Sequence, residues 1–369
     1  MDERIKKLAY NIVNFSCEIK KDERVLITGI GNAVYPLIKQ LIKEIYNVGG
    51  LPYIELQEPS VTREIMLGCS EEQLRFMSEY EMHRMKGMDA YISVRGTDNS
   101  SELSDVPEEK QLLYADLTSD VLYERVDNTK WVVLRYPTNA MAQLSNMSFE
   151  EFENFYFNVC NLDYKKMSEA MKKLINIMNN TDKVRITGPD TDIAFSIRDI
   201  PTVGCYGTRN LPDGEIFTAP VKNSVNGYIK YNAPSVYNGF TFEDIFFEIK
   251  DGKIIKAEAN DTQRINRILD MDEGARYIGE FALGVNPYII KPMKEILFDE
   301  KIMGSFHFTP GNSYDTAFNG NKSKIHWDLV CIQTDEYGGG KIFFDDVLIR
   351  ENGVFVVDEL KCLNSENLK

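Results

Sequence analysis

The sequence predicts an α/β N-terminal domain with a largely parallel sheet, followed by an α+β domain rich in antiparallel strands. Two textures carry this prediction. The first half alternates helical and extended signals, the punctuation of βα units. The second half is dominated by short strand-like runs broken by turn dipeptides. The change falls at Asn179-Asn180-Thr181-Asp182, which closes a helical stretch, so the boundary is placed near residue 182, giving domains 1–182 and 183–369. A chain of 369 residues exceeds the size at which one hydrophobic core stops growing, which also favours two domains.

In order, Asp2 to Ser16 reads as an amphipathic helix, Arg24 to Gly29 as a strand, Tyr35 to Tyr46 as a helix, and Leu51 to Leu56 as a strand after Gly49-Gly50. The apolar runs Ala90 to Val94 and Trp131 to Leu134 read as buried strands. Ser148 to Asn161 and Tyr164 to Met178 read as helices opened by Ser148 and Asp163, residues that cap orphan N–H groups. Beyond the boundary, Asn226-Gly227, Asp251-Gly252 and Asn352-Gly353 each stand between strand-like runs and predict hairpins. One helix, about Asp261 to Met271, interrupts the β-rich half.

An apolar fraction of 43% with 27% charge is ordinary for a folded domain, and no run approaches the roughly 18 apolar residues needed to span a bilayer. Membrane insertion is not expected. The opening MDERIKKLAY lacks the apolar core of a secretory signal, so a cytoplasmic protein is expected. The six cysteines (Cys17, Cys69, Cys160, Cys205, Cys331, Cys362) are scattered without a paired spacing, which reads as buried thiols in a reducing compartment and not as metal ligands. A net charge of −15 repels phosphate backbones and excludes a nucleic-acid role. Small molecules, peptides or cations are the expected partners.

Val25-Leu26-Ile27-Thr28 followed by Gly29-Ile30-Gly31 invites a dinucleotide-binding reading. The third glycine position is Val34, whose side chain would crowd the helix–strand contact that glycine permits. A glycine turn between strand and helix explains the segment.

Chemistry concentrates late in the chain. Of three histidines, two lie in His307-Phe308-Thr309-Pro310-Gly311-Asn312-Ser313-Tyr314 and Lys324-Ile325-His326-Trp327-Asp328. If Ile325 to Cys331 is a strand, Ile325, Trp327 and Leu329 share one face while His326 and Asp328 share the other. Imidazole and carboxylate at that spacing can converge on one divalent ion. The tripeptide alone is explained more simply by a histidine hydrogen-bonded to its neighbour. Glu215, in Asn210-Leu211-Pro212-Asp213-Gly214-Glu215, and Glu280, in Tyr277-Ile278-Gly279-Glu280, add weight, because each leads into an apolar run where an uncompensated carboxylate is costly. His83 lies in a polar helical stretch and reads as a surface residue.

Taken together, Asn210 to Glu215 with Thr218-Ala219-Pro220, Gly279-Glu280 with Leu283-Gly284 and Asn286-Pro287, His307 with Gly311 and Tyr314, and Asn321, Ser323 and His326-Trp327-Asp328 resemble the aminopeptidase T family. Aminopeptidase S and leucyl aminopeptidase-like proteins belong to the same group, and order and approximate separations match. Thr187-Gly188-Pro189 with Thr191-Asp192 is similar to the start of that family's C-terminal domain, and weaker similarity, as at Asp105-Val106-Pro107, extends through the N-terminal half.

The resemblance implies that Glu215, Glu280, His307, His326 and Asp328 ligate two divalent metal ions, with zinc first and cobalt, manganese or magnesium as alternatives, and that Tyr314 stands beside them. It implies a homodimeric metallo-aminopeptidase, an exopeptidase acting on peptides with a free N-terminus. Glu280 is then the candidate bridging carboxylate, and either Glu280 or Glu215 the proton acceptor for the attacking water. Tyr314 is the candidate donor to the developing oxyanion. Glu300 also matches a family pattern, either near the site or paired with Lys301. The segment between Tyr314 and His326 is shorter than the family pattern. The alternatives are a two-metal hydrolase of another ester or amide, and a non-catalytic peptide-binding homologue, for which a missing ligand is expected; none is missing.

Overall fold

The computed structural model describes residues 2–369 and divides into two compact units. One runs through Asn161 and includes Gly207–Leu211; the other comprises Leu162–Tyr206 and Pro212–Lys369. The division thus falls before the helix Tyr164–Asn179, whereas the change of sequence texture near residue 182 falls after it. That helix buries Met167, Met171, Leu174 and Met178 against the second unit's own strands.

The first unit is α/β. Its strands β1 (Arg24–Ile30), β2 (Leu51–Gln57), β3 (Ala90–Arg95) and β4 (Lys130–Arg135) pair in parallel in the order β2-β1-β3-β4, and the short segment Asn210–Leu211 adds a fifth parallel strand beside β4. Central β1 and β3 are buried along nearly their whole length, which is why they read as unbroken apolar runs. Gly29 and Ile30 still pair within β1, and only Gly31, at φ 82°, opens the turn toward the helix Tyr35–Asn47. The first helix, Glu3–Asn11, is capped by the Asp2 side chain on Arg4 N–H and continues as a π turn over Ile12–Ser16. Three helices between β2 and β4, Pro59–Gly68, Glu71–Met85 and Glu108–Asn128, were not resolved by apolar periodicity.

The second unit is built on antiparallel sheets. The larger has eight strands drawn from residues 183–258 and 341–355. Asp251-Gly252 and Asn352-Gly353 form the predicted hairpins, with Asp251 and Asn352 both at φ 49°, the left-handed conformation these tight turns require. Asn226-Gly227 does not. Both residues lie inside the strand Asn226–Lys230, and Gly227 pairs with Ile249 on one side and Ile193 on the other. A Cβ at Gly227 would stand 2.1 Å from the Asp192 carbonyl oxygen, so this glycine serves close strand approach and not a turn.

The second sheet positions the site. Its strands are β5 (Val203–Cys205), β6 (Glu215–Thr218), β7 (Ile278–Gly284), β8 (Ser305–Pro310) and β9 (Val330–Ile332), all antiparallel in the order β9-β8-β7-β6-β5. Phe281 and Phe308 on one face pack edge-on or tilted against Phe195 of the larger sheet, at ring separations of 5.0 and 5.1 Å. The alternation of strand side chains then turns Glu215, Glu280 and His307 to the opposite face. Among the described residues, no helix is long and apolar enough to cross a membrane.

Candidate metal centre

Register brings the polar side chains together. Ala282 of β7 pairs with Phe217 of β6 and His307 of β8, while Glu280 pairs with Thr309. Glu215 and Glu280, each two residues from this row, therefore flank His307 on one face. A bulge between Ile278 and Glu280 aims Glu280 across the sheet. Gly279, within it, admits the 311–312 backbone: a Cβ there would lie 2.3 Å from the Asn312 carbonyl oxygen. That carbonyl is the partner of His326.

His326 is not in a continuous strand. It makes an isolated bridge with Gly311, and β9 begins only at Val330. The burial alternation read from the sequence nevertheless holds, with Ile325, Trp327 and Leu329 buried at 1–3% exposure and the His326 and Asp328 side chains partly open at 19% and 14%.

Two groupings result. Glu215, Glu280 and His307 offer donor atoms within 4.8 Å of one another, and so do Glu280, His326 and Asp328. Glu280 is common to both. Its Oε1 lies 3.0 Å from His307 Nε2, and its Oε2 lies 3.3 Å from His326 Nε2. His307 Nε2 is also 3.6 Å from Glu215 Oε2, and His326 Nε2 is 3.2 Å from Asp328 Oδ1.

The far side of each ring determines which nitrogen is available. His307 Nδ1 faces the Glu300 carbonyl at 3.2 Å and His326 Nδ1 faces the Asn312 carbonyl at 2.8 Å. A carbonyl only accepts, so Nδ1 carries a proton in both rings and Nε2 faces inward, where it can give its lone pair to a cation once its own proton is displaced. Glu215 Oε2, Glu280 Oε2 and His326 Nε2 are buried and make no well-aligned hydrogen bond. Such atoms are expensive unless a cation meets them. Two imidazoles and three carboxylates are a donor set suited to divalent ions, so these residues fit a dinuclear divalent-metal site. A further grouping, Cys205 with Asp213 and Glu215, offers no ready thiolate, because burial and the adjacent carboxylates raise the Cys205 thiol well above its usual range.

The electrostatics agree. Burial alone would depress the His307 imidazole, but Glu280, Glu215 and Asp328 outweigh it and push it up to about 9, so the pocket strongly favours positive charge. Around the centre, Thr309 Oγ1 donates to Asp328 Oδ1 at 2.7 Å. Fully buried Lys301 lies 3.4 Å from Glu215 Oε1 and pairs closely with Glu300. Glu300 therefore both pairs with a lysine and, through its carbonyl, orients His307. Tyr314 is 47% exposed, with its ring 4.5 Å from that of His326 and edge-on to Phe217 at 5.6 Å. His83 is exposed on its helix in the first unit and belongs to neither grouping.

Sequence reasoning missed Lys301 and Thr309 as parts of this arrangement. The alternation His307-Phe308-Thr309 on a buried strand was the available signal for Thr309; Lys301 had none beyond its neighbour Glu300.

The profile of the thermophilic metalloprotease (M29) family matches residues 1–355. The chain belongs to that family. Aminopeptidase 2 of Geobacillus stearothermophilus is 23% identical over 331 residues, 78% of each chain. Wild-type AmpT from Thermus thermophilus superposes with a TM-score of 0.83 at 21% identity, covering 96% of this chain and 99% of that one. A 2,5-dihydroxypyridine dioxygenase from Pseudomonas putida KT2440 also shares the fold, with a TM-score of 0.61 at 12% identity over 96% and 98% of the two chains. Fold alone therefore does not dictate the reaction. Membership in the M29 family together with the two donor groupings makes this chain a metallopeptidase.

Proposed function

We propose that this chain is a metallo-aminopeptidase that removes N-terminal residues from peptides, with two divalent ions held by Glu215, Glu280, His307, His326 and Asp328. The observation that carries the reading is Glu280, which faces both imidazole Nε2 atoms with its two oxygens and so belongs to both groupings.

Each side chain has a definable task. The Glu300 and Asn312 carbonyls accept from Nδ1–H and keep Nε2 of both imidazoles turned inward. Lys301 occupies one oxygen of Glu215 and leaves the other for a cation. When bound, the ions supply Lewis-acid polarisation of the scissile carbonyl and acidify the attacking water. Glu280 or Glu215 accepts that water's proton and delivers it to the leaving amine. The Tyr314 hydroxyl, on a ring tilted against that of His326, donates to the carbonyl oxygen as it gains charge. The excess of carboxylates attracts the substrate's α-ammonium group, which distinguishes an exopeptidase from an endopeptidase.

Six free cysteines support a reducing, cytoplasmic setting. The helix Glu108–Asn128 has no fully buried residue, and its Leu112, Leu122 and Tyr123 are exposed, which supports coverage by a second copy in a homodimer; sedimentation equilibrium tests this. The function is tested by release of leucine from leucyl peptides. Chelation abolishes it, a divalent ion restores it, and His326→Ala lacks it.

A further inference from the structure

We propose that two buried asparagines, Asn286 and Asn321, are positioning residues that set the two donor groupings separately. Asn286 fixes the half built on Glu215 and His307, and Asn321 the half built on His326. This rests on the two-ion reading of the centre. Both asparagines stand in segments by which the sequence resembles its family, both are wholly buried, and both direct Nδ2 at backbone carbonyls close in sequence to donor residues.

Asn286 follows the end of β7 and joins three chain segments. Its Nδ2 donates to the Asp213 carbonyl at 2.7 Å, its Oδ1 accepts the Tyr288 N–H at 3.2 Å, and its main-chain N–H donates to the Lys301 carbonyl at 3.0 Å. Asp213 lies two residues before Glu215, and Lys301 follows Glu300, whose carbonyl receives His307 Nδ1–H. Between Asp213 and Glu215, Gly214 stands at φ 132° and packs so closely that a Cβ there would lie 3.0 Å from the Asn286 Cβ. At Gly284, the last residue of β7, a Cβ would meet the Ile302 carbonyl oxygen at 2.3 Å. The Lys301–Ile302 backbone is therefore pressed onto this strand end as well.

Asn321 has the corresponding place in the other half. Its Nδ2 donates to the Gly311 and Gly274 carbonyls at 2.6 and 2.9 Å. Gly311 bridges His326 and precedes Asn312, whose carbonyl receives His326 Nδ1–H. It stands at φ 108°, with the Ile325 carbonyl oxygen 2.1 Å from where a Cβ would be. In each half, then, a glycine at a φ that other residues rarely adopt lies beside a ligand, and glycine restrains the chain little by itself. The buried amide supplies that restraint by donating to a buried carbonyl of the same segment. Because the two amides hold different segments, their effects are separable.

The test uses the full-length chain in two single-site backgrounds, with cobalt(II) as the probe and its dissociation constant and visible absorption bands as readouts. Asp328→Ala leaves the grouping of Glu215, Glu280 and His307, and Glu215→Ala leaves that of Glu280, His326 and Asp328. In the first background Asn286→Ala should weaken cobalt binding about tenfold or more and shift the bands, with a change below roughly twofold in the second; Asn321→Ala should do the reverse. Asn286→Leu and Asn321→Leu, which keep the volume without the amide, should show the same pattern and stand in for an alanine variant that does not fold. A purely structural role would weaken both sites together. Equal losses in the two backgrounds, no loss in either, or asparagine variants that all fail to fold overturn the assignment and leave the two-ion reading standing. Backgrounds that bind no cobalt while both asparagines are intact overturn both.

Discussion

Lys301 Nζ lies 3.4 Å from Glu215 Oε1, with the lysine side chain wholly buried and the glutamate nearly so. Burial alone would strip the ammonium of its proton, but Glu215 and Glu300 outweigh it and hold Lys301 charged. Removing one partner of such a buried pair leaves an uncompensated charge. Lys301→Met should therefore destabilise the metal-free protein by about 3–5 kcal/mol. The loss should shrink when divalent ions are present, because they supply positive charge to Glu215 and bind only the folded state. Urea denaturation with and without chelator measures both values; equal losses under the two conditions contradict this account.

Because Glu280 is shared by both groupings, its loss should differ in kind from the loss of a residue that serves only one. Glu280→Ala should retain no tightly bound ion after dialysis. Glu215→Ala and Asp328→Ala should each retain one, from opposite groupings. Elemental analysis per chain decides this, and Glu280→Ala protein that keeps an ion would remove Glu280 from the bridging position.

Thr309 touches the centre only through Asp328, to which its hydroxyl donates at 2.7 Å. Such supporting hydrogen bonds typically carry about ten- to a hundredfold in metal affinity. Thr309→Val should weaken binding of the second ion by that factor while leaving the first unchanged, as read by calorimetric titration, and Thr309→Ser should restore it.

Asp299 gives the fold a pH dependence. Burial pushes its carboxyl up to about 7, against the lowering effect of the Met293 and Lys294 N–H groups. The folded state thus binds a proton that the unfolded chain releases near its ordinary value of 3.8. Stability from this group is full below about pH 4 and is lost as pH rises through about 7. Asp299→Asn keeps one backbone acceptor and cannot ionise, so the difference in stability between wild type and variant should shift by a few kcal/mol across that window. A pH-independent difference in denaturation midpoints contradicts it.

Much of this was legible because burial follows side-chain alternation. Ile325, Trp327 and Leu329 turn inward and His326 and Asp328 turn toward the centre, even though β9 begins only at Val330. The parallel strands were legible from their unbroken apolar runs. Lys301 was not: beside Glu300 it reads as half of a surface salt bridge, and only the approach of its segment to β6 places it on Glu215. Asn226-Gly227 misled because a turn dipeptide and a glycine admitting a neighbouring strand look alike in sequence. The helix Glu108–Asn128 buries no residue fully, so it lacks the apolar stripe by which helices are recognised.

The central claim is that one carboxylate, Glu280, organises a two-ion centre that hydrolyses the bond after a peptide's first residue. Stoichiometric metal titration of the chelator-stripped protein, followed by leucine release from a leucyl peptide, tests it most directly. Activity should rise from background and saturate at two ions per chain, with no rise in His326→Ala; full activity at one ion, or in the stripped protein, would contradict the account.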